Sequence, residues 1–265
     1  MNLYSYISVN SFVKGYVFSE QSSILRLRVP NLMYAVSEEE IEYGLSVLRD
    51  SIRLYEKRHS ILPQESKQEM PFFRNNRKIL IGPEMEMYAW MFYEVPEIPH
   101  NLKLSHFPFL RLTIDYEALG EYCLSENYFL LRCKYEEEKS LHTFAEQMEQ
   151  EYDKFFFDAE HTGFKADSRL FSLLCNACLE VRNPRFAHEK EWRMVLFSEP
   201  ANASYDFADG QLMPYLPVSF PLSCIRRIAL PNREDNKMIY SALAGFLQHA
   251  GLAPERYLEG LIEED

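Results

Sequence analysis

The stretch of sequence that decides most about this chain is Phe186-Ala187-His188-Glu189-Lys190-Glu191-Trp192-Arg193-Met194-Val195-Leu196-Phe197. Read as a β-strand, it places successive side chains on opposite faces of a sheet. Trp192, Met194 and Leu196 then share an unbroken apolar face. This alternation predicts that these three side chains lie in the core.

The opposite face of the same strand is charged where the strand begins, at Glu189, Glu191 and Arg193. Two carboxylates beside a guanidinium group can orient a polar ligand or stabilise developing positive charge. The same charges can instead form an ion-pair ladder that stabilises the end of a sheet. Glu191 and Glu189 are therefore candidate catalytic residues and Arg193 is a candidate ligand-binding residue, with a structural role as the alternative.

Around this strand, apolar residues spaced three and four apart predict four long helices. The predicted helices cover residues 37–58, 140–157, 168–181 and 236–250. Ser37 and Glu40 form a capping box at the start of the first helix, and Asp115 is placed to cap a short helix over 116–122. Alternating or short apolar runs predict further strands at 26–29, 78–81, 109–114, 128–135, 225–230 and 257–262.

The order of these elements is mixed, with no regular βαβ alternation, no repeat and no Gly/Ser-rich linker. This order predicts one α+β domain over residues 1–265, built on a mixed, mostly antiparallel sheet packed with several helices. The polar segment 59–76 contains Pro63 and Pro71 and is predicted to be a loop, with a functional lid as an alternative.

Composition bounds the function classes. The chain is 47% hydrophobic and 14% aromatic, which predicts a substantial core. Its 28 basic and 40 acidic residues give a net charge of −12, which opposes binding to nucleic acid or to an anionic membrane. No apolar run approaches the ~18 residues of a membrane span, and we expect a cytoplasmic protein.

The usual motifs of phosphate, metal and serine chemistry are absent from the sequence. The nine glycines form neither dinucleotide-binding nor phosphate-loop spacing, and there is no zinc-binding His-Glu-x-x-His. We expect reduced cysteines, with Cys175 and Cys178 on a buried helix face rather than at a metal. His100 and His106 are expected at the surface of a loop. No cofactor and no metal are therefore predicted.

The charged block resembles a known signature. Glu189-x-Glu191-Trp192-Arg193 is similar to the Glu-x-Glu-Trp-Arg motif of the bacterial family catalogued as domain of unknown function 2971, whose members have no agreed activity. Other landmarks follow in the family's order over nearly the whole chain: Leu3-Tyr4-x-Tyr6, 25–31, Trp90-Met91-Phe92-Tyr93, 112–116 and 225–231. Phe92 replaces a family histidine and Leu230 a family glycine, which implies that any function those residues carry is altered or lost here.

A more distant likeness is to ADP-ribosyltransferases, which end their catalytic constellation with Glu-x-Glu at the start of a strand. The likeness implies that Glu191 orients a nicotinamide ribose and stabilises its oxocarbenium-like transition state, with NAD as the substrate. Tyr4, Tyr93 and Trp90 are the aromatic residues that would contribute to ligand binding.

Two functional hypotheses follow. The first is a binding or interaction domain, or a degenerate member of its family, whose partner is a small molecule or a protein. The alternative is an enzyme acting on a nucleotide-like substrate, by ADP-ribosyl transfer or NAD hydrolysis, with Glu191 as its key carboxylate. An open cleft at Glu191 faced by Tyr93 or Trp90 favours the enzyme, whereas a filled, ion-paired environment favours the binding domain.

Overall fold

The computed structural model describes residues 1–17, 23–59, 86–99, 108–148, 177–208, 211–231 and 236–262. The strands are β1 (Asn2–Ser8), β2 (Tyr16–Val17), β3 (Ile24–Pro30), β4 (Glu86–Tyr93), β5 (Phe109–Asp115), β6 (Phe129–Arg132), β7 (Glu191–Ser198), β8 (Ser204–Ala208), β9 (Gln211–Pro221), β10 (Ile225–Pro231) and β11 (Leu258–Ile262). The helices are α1 (Val9–Gly15), α2 (Leu32–Ala35), α3 (Glu38–Arg58), α4 (Tyr116–Ser125), α5 (Glu137–Met148), α6 (Asn236–His249) and α7 (Pro254–Tyr257).

The strands form two sheets. A seven-stranded sheet has the order β11-β10-β5-β1-β4-β7-β6, and a four-stranded sheet has the order β2-β3-β9-β8. Neighbouring strands are antiparallel in both sheets, except that β10 and β11 run parallel. The predicted α+β class with a mixed, mostly antiparallel sheet is therefore confirmed.

The larger sheet buries both of its faces. On one face β7 contributes Val195 to a core formed with α3 and α5. On the other face Met194 and Leu196 pack into a core shared with the smaller sheet and α6. The predicted alternation along this strand is confirmed, because its odd and even positions belong to different cores.

Trp192 packs against the same core as Met194 and Leu196, as predicted, but lies at its edge and is only partly buried. Its ring packs edge-on against Tyr116, with 5.3 Å between ring centroids, and its Nε1 donates to Glu94 Oε1 at 2.9 Å. Residue 192 pairs with Arg132, the last residue of β6, whose guanidinium group lies 5.9 Å from the centroid of the indole ring.

The predicted helix starts are found where the capping residues stand. Ser37 Oγ accepts from the backbone N–H of Glu40, and the side chain of Asp115 accepts from the backbone N–H groups of Glu117 and Ala118. The helices predicted over 37–58 and 236–250 are confirmed to within one residue. The helix predicted from 140 starts earlier, at Glu137.

Several predictions fall on residues outside the described part of the chain. These are the strand at 78–81, His100, His106, Cys175, the residues after 148 in the second helix, and nearly all of the 59–76 segment. Of the third predicted helix, residues 177–180 are helical. The four described cysteines are buried free thiols, and no described helix is both long and apolar enough to cross a bilayer.

Gly44 shows how closely α3 approaches the segment that leads to the charged cluster. A Cβ added there would lie against the backbone of Ala177, 2.9 Å from its carbonyl carbon. At Gly245 in α6, an added Cβ meets nothing within 4 Å. We therefore expect Gly44→Ala to destabilise the protein by about 1–3 kcal/mol through overpacking, whereas Gly245→Ala should stabilise it by about 0.5–1 kcal/mol through helix propensity. Urea denaturation of both variants tests the contrast, and a stabilised Gly44→Ala would contradict the close approach.

Candidate functional site

A cavity of about 590 Å³ lies beside the start of β7. Among the described residues, four charged side chains reach its surface: Glu40, Arg182, Glu189 and Glu191. The described lining also includes five aromatic residues: Tyr6, Tyr34, Trp90, Tyr93 and Phe186. Cavities of this size that combine aromatic walls with a few polar groups are typical of small-molecule sites.

Arg182 is the centre of the charged cluster. Its Nε donates to Glu40 Oε1 at 2.7 Å, and its Nη1 donates to Glu189 Oε2 at 2.7 Å and to Glu191 Oε2. Only 4% of Arg182 is exposed. Burial alone lowers the pKa of this guanidinium group, but Glu191, Glu40 and Glu189 together outweigh that effect and hold the pKa above its ordinary value.

Arg193 holds Glu191 from the opposite side. Its Nε donates to Glu191 Oε1 at 2.5 Å, and its Nη1 donates to the carbonyl groups of Cys178 and Leu179. The thiol of Cys133 also donates to Glu191 Oε1, at 3.8 Å. Burial raises the pKa of that thiol to about 12, so Cys133 stays protonated at neutral pH. Both oxygens of Glu191 are thus engaged by buried groups.

The chain brings these residues together through an irregular segment. Arg182 N donates to Lys134 O directly after β6, which fixes the start of the segment beside the sheet. Asn183 then caps a 3-10 helix, Pro184–Glu189, by accepting from the backbone N–H of Arg185. Pro184 suits the first position of this helix because its missing N–H is not needed there.

Glu189 does not lie in the strand, contrary to the sequence-based prediction. It is the last residue of the 3-10 helix, and Lys190 adopts a left-handed conformation with φ 47° before β7 begins at Glu191. A left-handed residue interrupts the extended backbone of a strand, so strand alternation does not extend back to Glu189. The two carboxylates nevertheless converge, because both accept from the same nitrogen of Arg182.

Two tyrosines complete the surroundings of Glu191. The backbone N–H of Glu191 donates to the Tyr135 hydroxyl at 2.8 Å. Tyr93 pairs with Glu191 across β4 and β7 and is 7% exposed. Burial, and next the negative charge of Glu191, raise the pKa of Tyr93 well above its ordinary value, so its hydroxyl stays neutral.

Four of the six site residues predicted from the sequence line the cavity, and two do not. Glu191, Glu189, Tyr93 and Trp90 all line the cavity. Arg193 does not line it, but holds Glu191 from behind and is 1% exposed. Tyr4 does not line it either: Arg111 stacks on its ring, with Cζ 5.3 Å from the centroid.

Sequence reasoning missed Arg182, Glu40, Tyr6, Tyr34 and Phe186 as lining residues. Glu40 was noticed in the sequence, but only as part of the capping box at the start of the first helix. In the structure its carboxylate accepts a hydrogen bond from Arg182. For Arg182 no local signal existed, because it lies in neither the strand nor a motif. Phe92 and Leu230, where the chain departs from the family pattern, are fully buried in the core shared by the two sheets.

The cluster contains three carboxylates and two guanidinium groups, which leaves one negative charge in excess. Among the described residues, no group of three or more His, Cys, Asp or Glu side chains is arranged to hold a metal ion. The described side chains at the cavity can take part in hydrogen bonding, charge pairing and aromatic stacking.

Comparison with known proteins assigns no family. No protein-family model matches the chain, and no curated protein matches it. A solved structure of Thermus sp. 2.9 DarT in complex with ADP-ribosylated ssDNA is similar at a TM-score of 0.34 and 12% identity, over 98% of this chain and 93% of that chain. This is a weak likeness, and the resemblance to domain of unknown function 2971 stays a hypothesis.

Proposed function

We propose that this protein is a small-molecule-binding domain, whose ligand occupies the cavity beside β7. The cavity volume of about 590 Å³ falls within the range that ordinary metabolites and drug-sized ligands need. Tyr34, Trp90 and Tyr93 supply aromatic wall, and Arg182 and Glu189 supply polar groups at fixed positions. Aromatic walls give binding area, while a few fixed polar groups orient the ligand.

The observation that carries this proposal is the full engagement of Glu191. The side chain is 3% exposed, and Arg182 and Arg193 each bind one of its oxygens. A carboxylate whose charge is already compensated by two guanidinium groups offers little to a positively charged transition state. The role that fits Glu191 best is to hold the cavity wall together.

One observation favours an enzyme as a second candidate: Glu191, Tyr93 and Trp90 line the same cavity. In that case the substrate would be nucleotide-like, with NAD consumed by hydrolysis or ADP-ribosyl transfer, and Glu191 would stabilise the oxocarbenium-like carbon. Incubation of the full chain with NAD, followed by chromatography of nicotinamide and ADP-ribose, tests this candidate. Release of nicotinamide above the rate of a heat-denatured sample supports the enzyme; its absence supports the binding domain.

The binding proposal is tested at Tyr34, because this side chain lines the cavity and is 44% exposed. A thermal-shift screen of metabolites on the full chain identifies ligands, and calorimetry measures their affinity. We expect Tyr34→Ala to weaken binding by about tenfold, the equivalent of ~1.4 kcal/mol of aromatic contact. Its free energy of unfolding should change by less than about 0.5 kcal/mol, because the site is at the surface.

Tyr205→Ala is the matched control, since Tyr205 is 59% exposed and lies on β8 away from the cavity lining. This variant should bind every ligand with wild-type affinity. Ligands whose affinity is the same in Tyr34→Ala and in the wild type occupy another site, and this result would overturn the assignment of the cavity.

A further inference from the structure

The charge of the cavity surface selects for a class of ligand. Among the described residues, three of the four charged side chains that line the cavity are glutamates, and the fourth, Arg182, is already bonded to all three. Arg193 stands behind Glu191 and does not reach the surface. A ligand that enters the cavity therefore meets an excess of negative charge, in surroundings where water screens charge poorly.

Glu189 is the residue at which a ligand can contact this excess of negative charge. It is 7% exposed, and Arg182 occupies its Oε2. Its Oε1 has no hydrogen-bond partner among the residues that the structure describes, although the side chain lines the cavity. Glu189 Oε1 is not among the described buried atoms that lack a hydrogen-bond partner, so water reaches it, and an N–H donor that arrives with a ligand can form a charge-assisted hydrogen bond there.

The aromatic lining suits the same class of ligand. Phe186 already makes cation–π contacts in the protein. The guanidinium groups of Arg182 and Arg185 lie 4.7 Å and 4.6 Å from its ring centroid. Tyr34, Trp90 and Tyr93 extend this aromatic lining around the cavity. Aromatic rings attract a cation held within about 6 Å of their faces.

We propose that the ligand is a small organic cation that carries N–H donors, of the amidine, guanidine or amine class. Its N–H groups bond Glu189 Oε1, and its body lies along the aromatic lining. This inference rests on the proposed binding function and adds the charge of the ligand. Binding of such a cation needs no change in the ion pairs of Arg182, because the cation uses Glu189 Oε1 and Arg182 bonds Glu189 Oε2.

Three planar compounds of nearly equal shape test the charge directly: benzamidine is a cation, benzamide is neutral and benzoate is an anion. Each is titrated into the full chain at neutral pH and followed by ligand-observed NMR. Fragments of this size bind in the roughly millimolar range at best. We expect benzamidine to bind about tenfold or more tightly than benzamide, and benzoate to bind more weakly than both. Benzamide or benzoate binding as tightly as benzamidine would overturn the inference.

The Glu189→Gln variant tests whether the preference for the cation comes from the charge of Glu189. The amide oxygen of glutamine can still accept from Arg182, so the fold is preserved, while the negative charge is lost. Benzamidine affinity should fall by about tenfold, the loss of one charge-assisted hydrogen bond, and benzamide affinity should change less than about twofold. Glu180→Gln is the matched control, because Glu180 is also ion-paired but lies outside the cavity lining.

The outcomes separate this inference from the proposed function. Equal binding of benzamidine and benzamide, weakened for both in Tyr34→Ala, would keep the ligand site and reject its preference for cations. Benzamidine binding that is indifferent to both Glu189→Gln and Tyr34→Ala would reject the inference at this cavity. Failure of all three compounds, together with no hit from the thermal-shift screen, would reject both.

Discussion

Replacing Arg182 by methionine is expected to lower the free energy of unfolding by about 3–5 kcal/mol. The change removes the side chain that bonds Glu40, Glu189 and Glu191, and it leaves three carboxylates with 15%, 8% and 3% side-chain exposure around an apolar group. Buried charges that lose their partner account for the largest effects of single substitutions. Guanidinium chloride denaturation at neutral pH measures the loss.

The loss in Arg182→Met should also depend on pH. Without the guanidinium group, the folded variant takes up protons more readily than the unfolded chain does. Falling pH therefore stabilises the variant relative to the wild type. We expect the difference between the two proteins to be smaller at about pH 5 than at about pH 8. A difference that does not change with pH would mean that the lost packing of the side chain, and not its charge, causes the effect.

Arg185→Met is the matched control for this prediction. Arg185 lies in the same segment, stacks on the same ring of Phe186 and pairs with Glu39. Its side chain is 55% exposed and that of Glu39 is 78% exposed, so water screens the pair. The free energy of unfolding should change by less than about 0.5 kcal/mol. Equal losses in the two variants would contradict a central role for Arg182.

The parts of this fold that could be predicted from the sequence are those with local causes. Helix α3 begins where Ser37 can cap it, and α4 begins where Asp115 can cap it. The alternation of Met194, Val195 and Leu196 between two cores follows from the period of a strand alone. Each of these predictions needed only a few neighbouring residues.

Strand β9 shows a case in which a local rule misleads. Pro214, Pro217 and Pro221 argue against a strand, because proline cannot donate to a neighbouring strand. The strand tolerates them because it pairs with β8 over residues 211–215 and with β3 over 215–221. Apart from Tyr215, each residue therefore has a partner strand on one side, and a missing N–H can face the open side.

The charged cluster could be predicted only in part, since its partners are far apart in the sequence. Glu191 and Arg193 are two residues apart on one strand, so their shared face was visible. Glu40 lies 142 residues from Arg182, and no local pattern connects them. The left-handed residue that separates the 3-10 helix from β7 was likewise not indicated by the sequence. Lys190 adopts φ 47°, a conformation in which glycine or asparagine is usual.

Glu191→Gln is the second large effect that we expect, a loss of about 3 kcal/mol or more in the free energy of unfolding. Arg193 Nε and Arg182 Nη1 each donate to a different oxygen of Glu191. A glutamine offers one acceptor, and whichever way it turns, its NH₂ group faces a guanidinium donor. Thermal and urea unfolding of the purified variant measure the loss.

Glu189→Gln is the matched comparison for Glu191→Gln, because the same chemical change is made two residues away in the same cluster. Glutamine at 189 can direct its oxygen to Arg182 Nη1 and its NH₂ group towards the cavity, so less than about 1 kcal/mol should be lost. A large loss at 191 with a small loss at 189 means that Glu191 holds the wall and Glu189 faces the ligand. The reverse result would be a Glu191→Gln variant that melts like the wild type but no longer turns over NAD. It would establish Glu191 as a catalytic carboxylate and favour the enzyme over the binding domain, because a residue whose charge the fold does not need is free to serve a reaction.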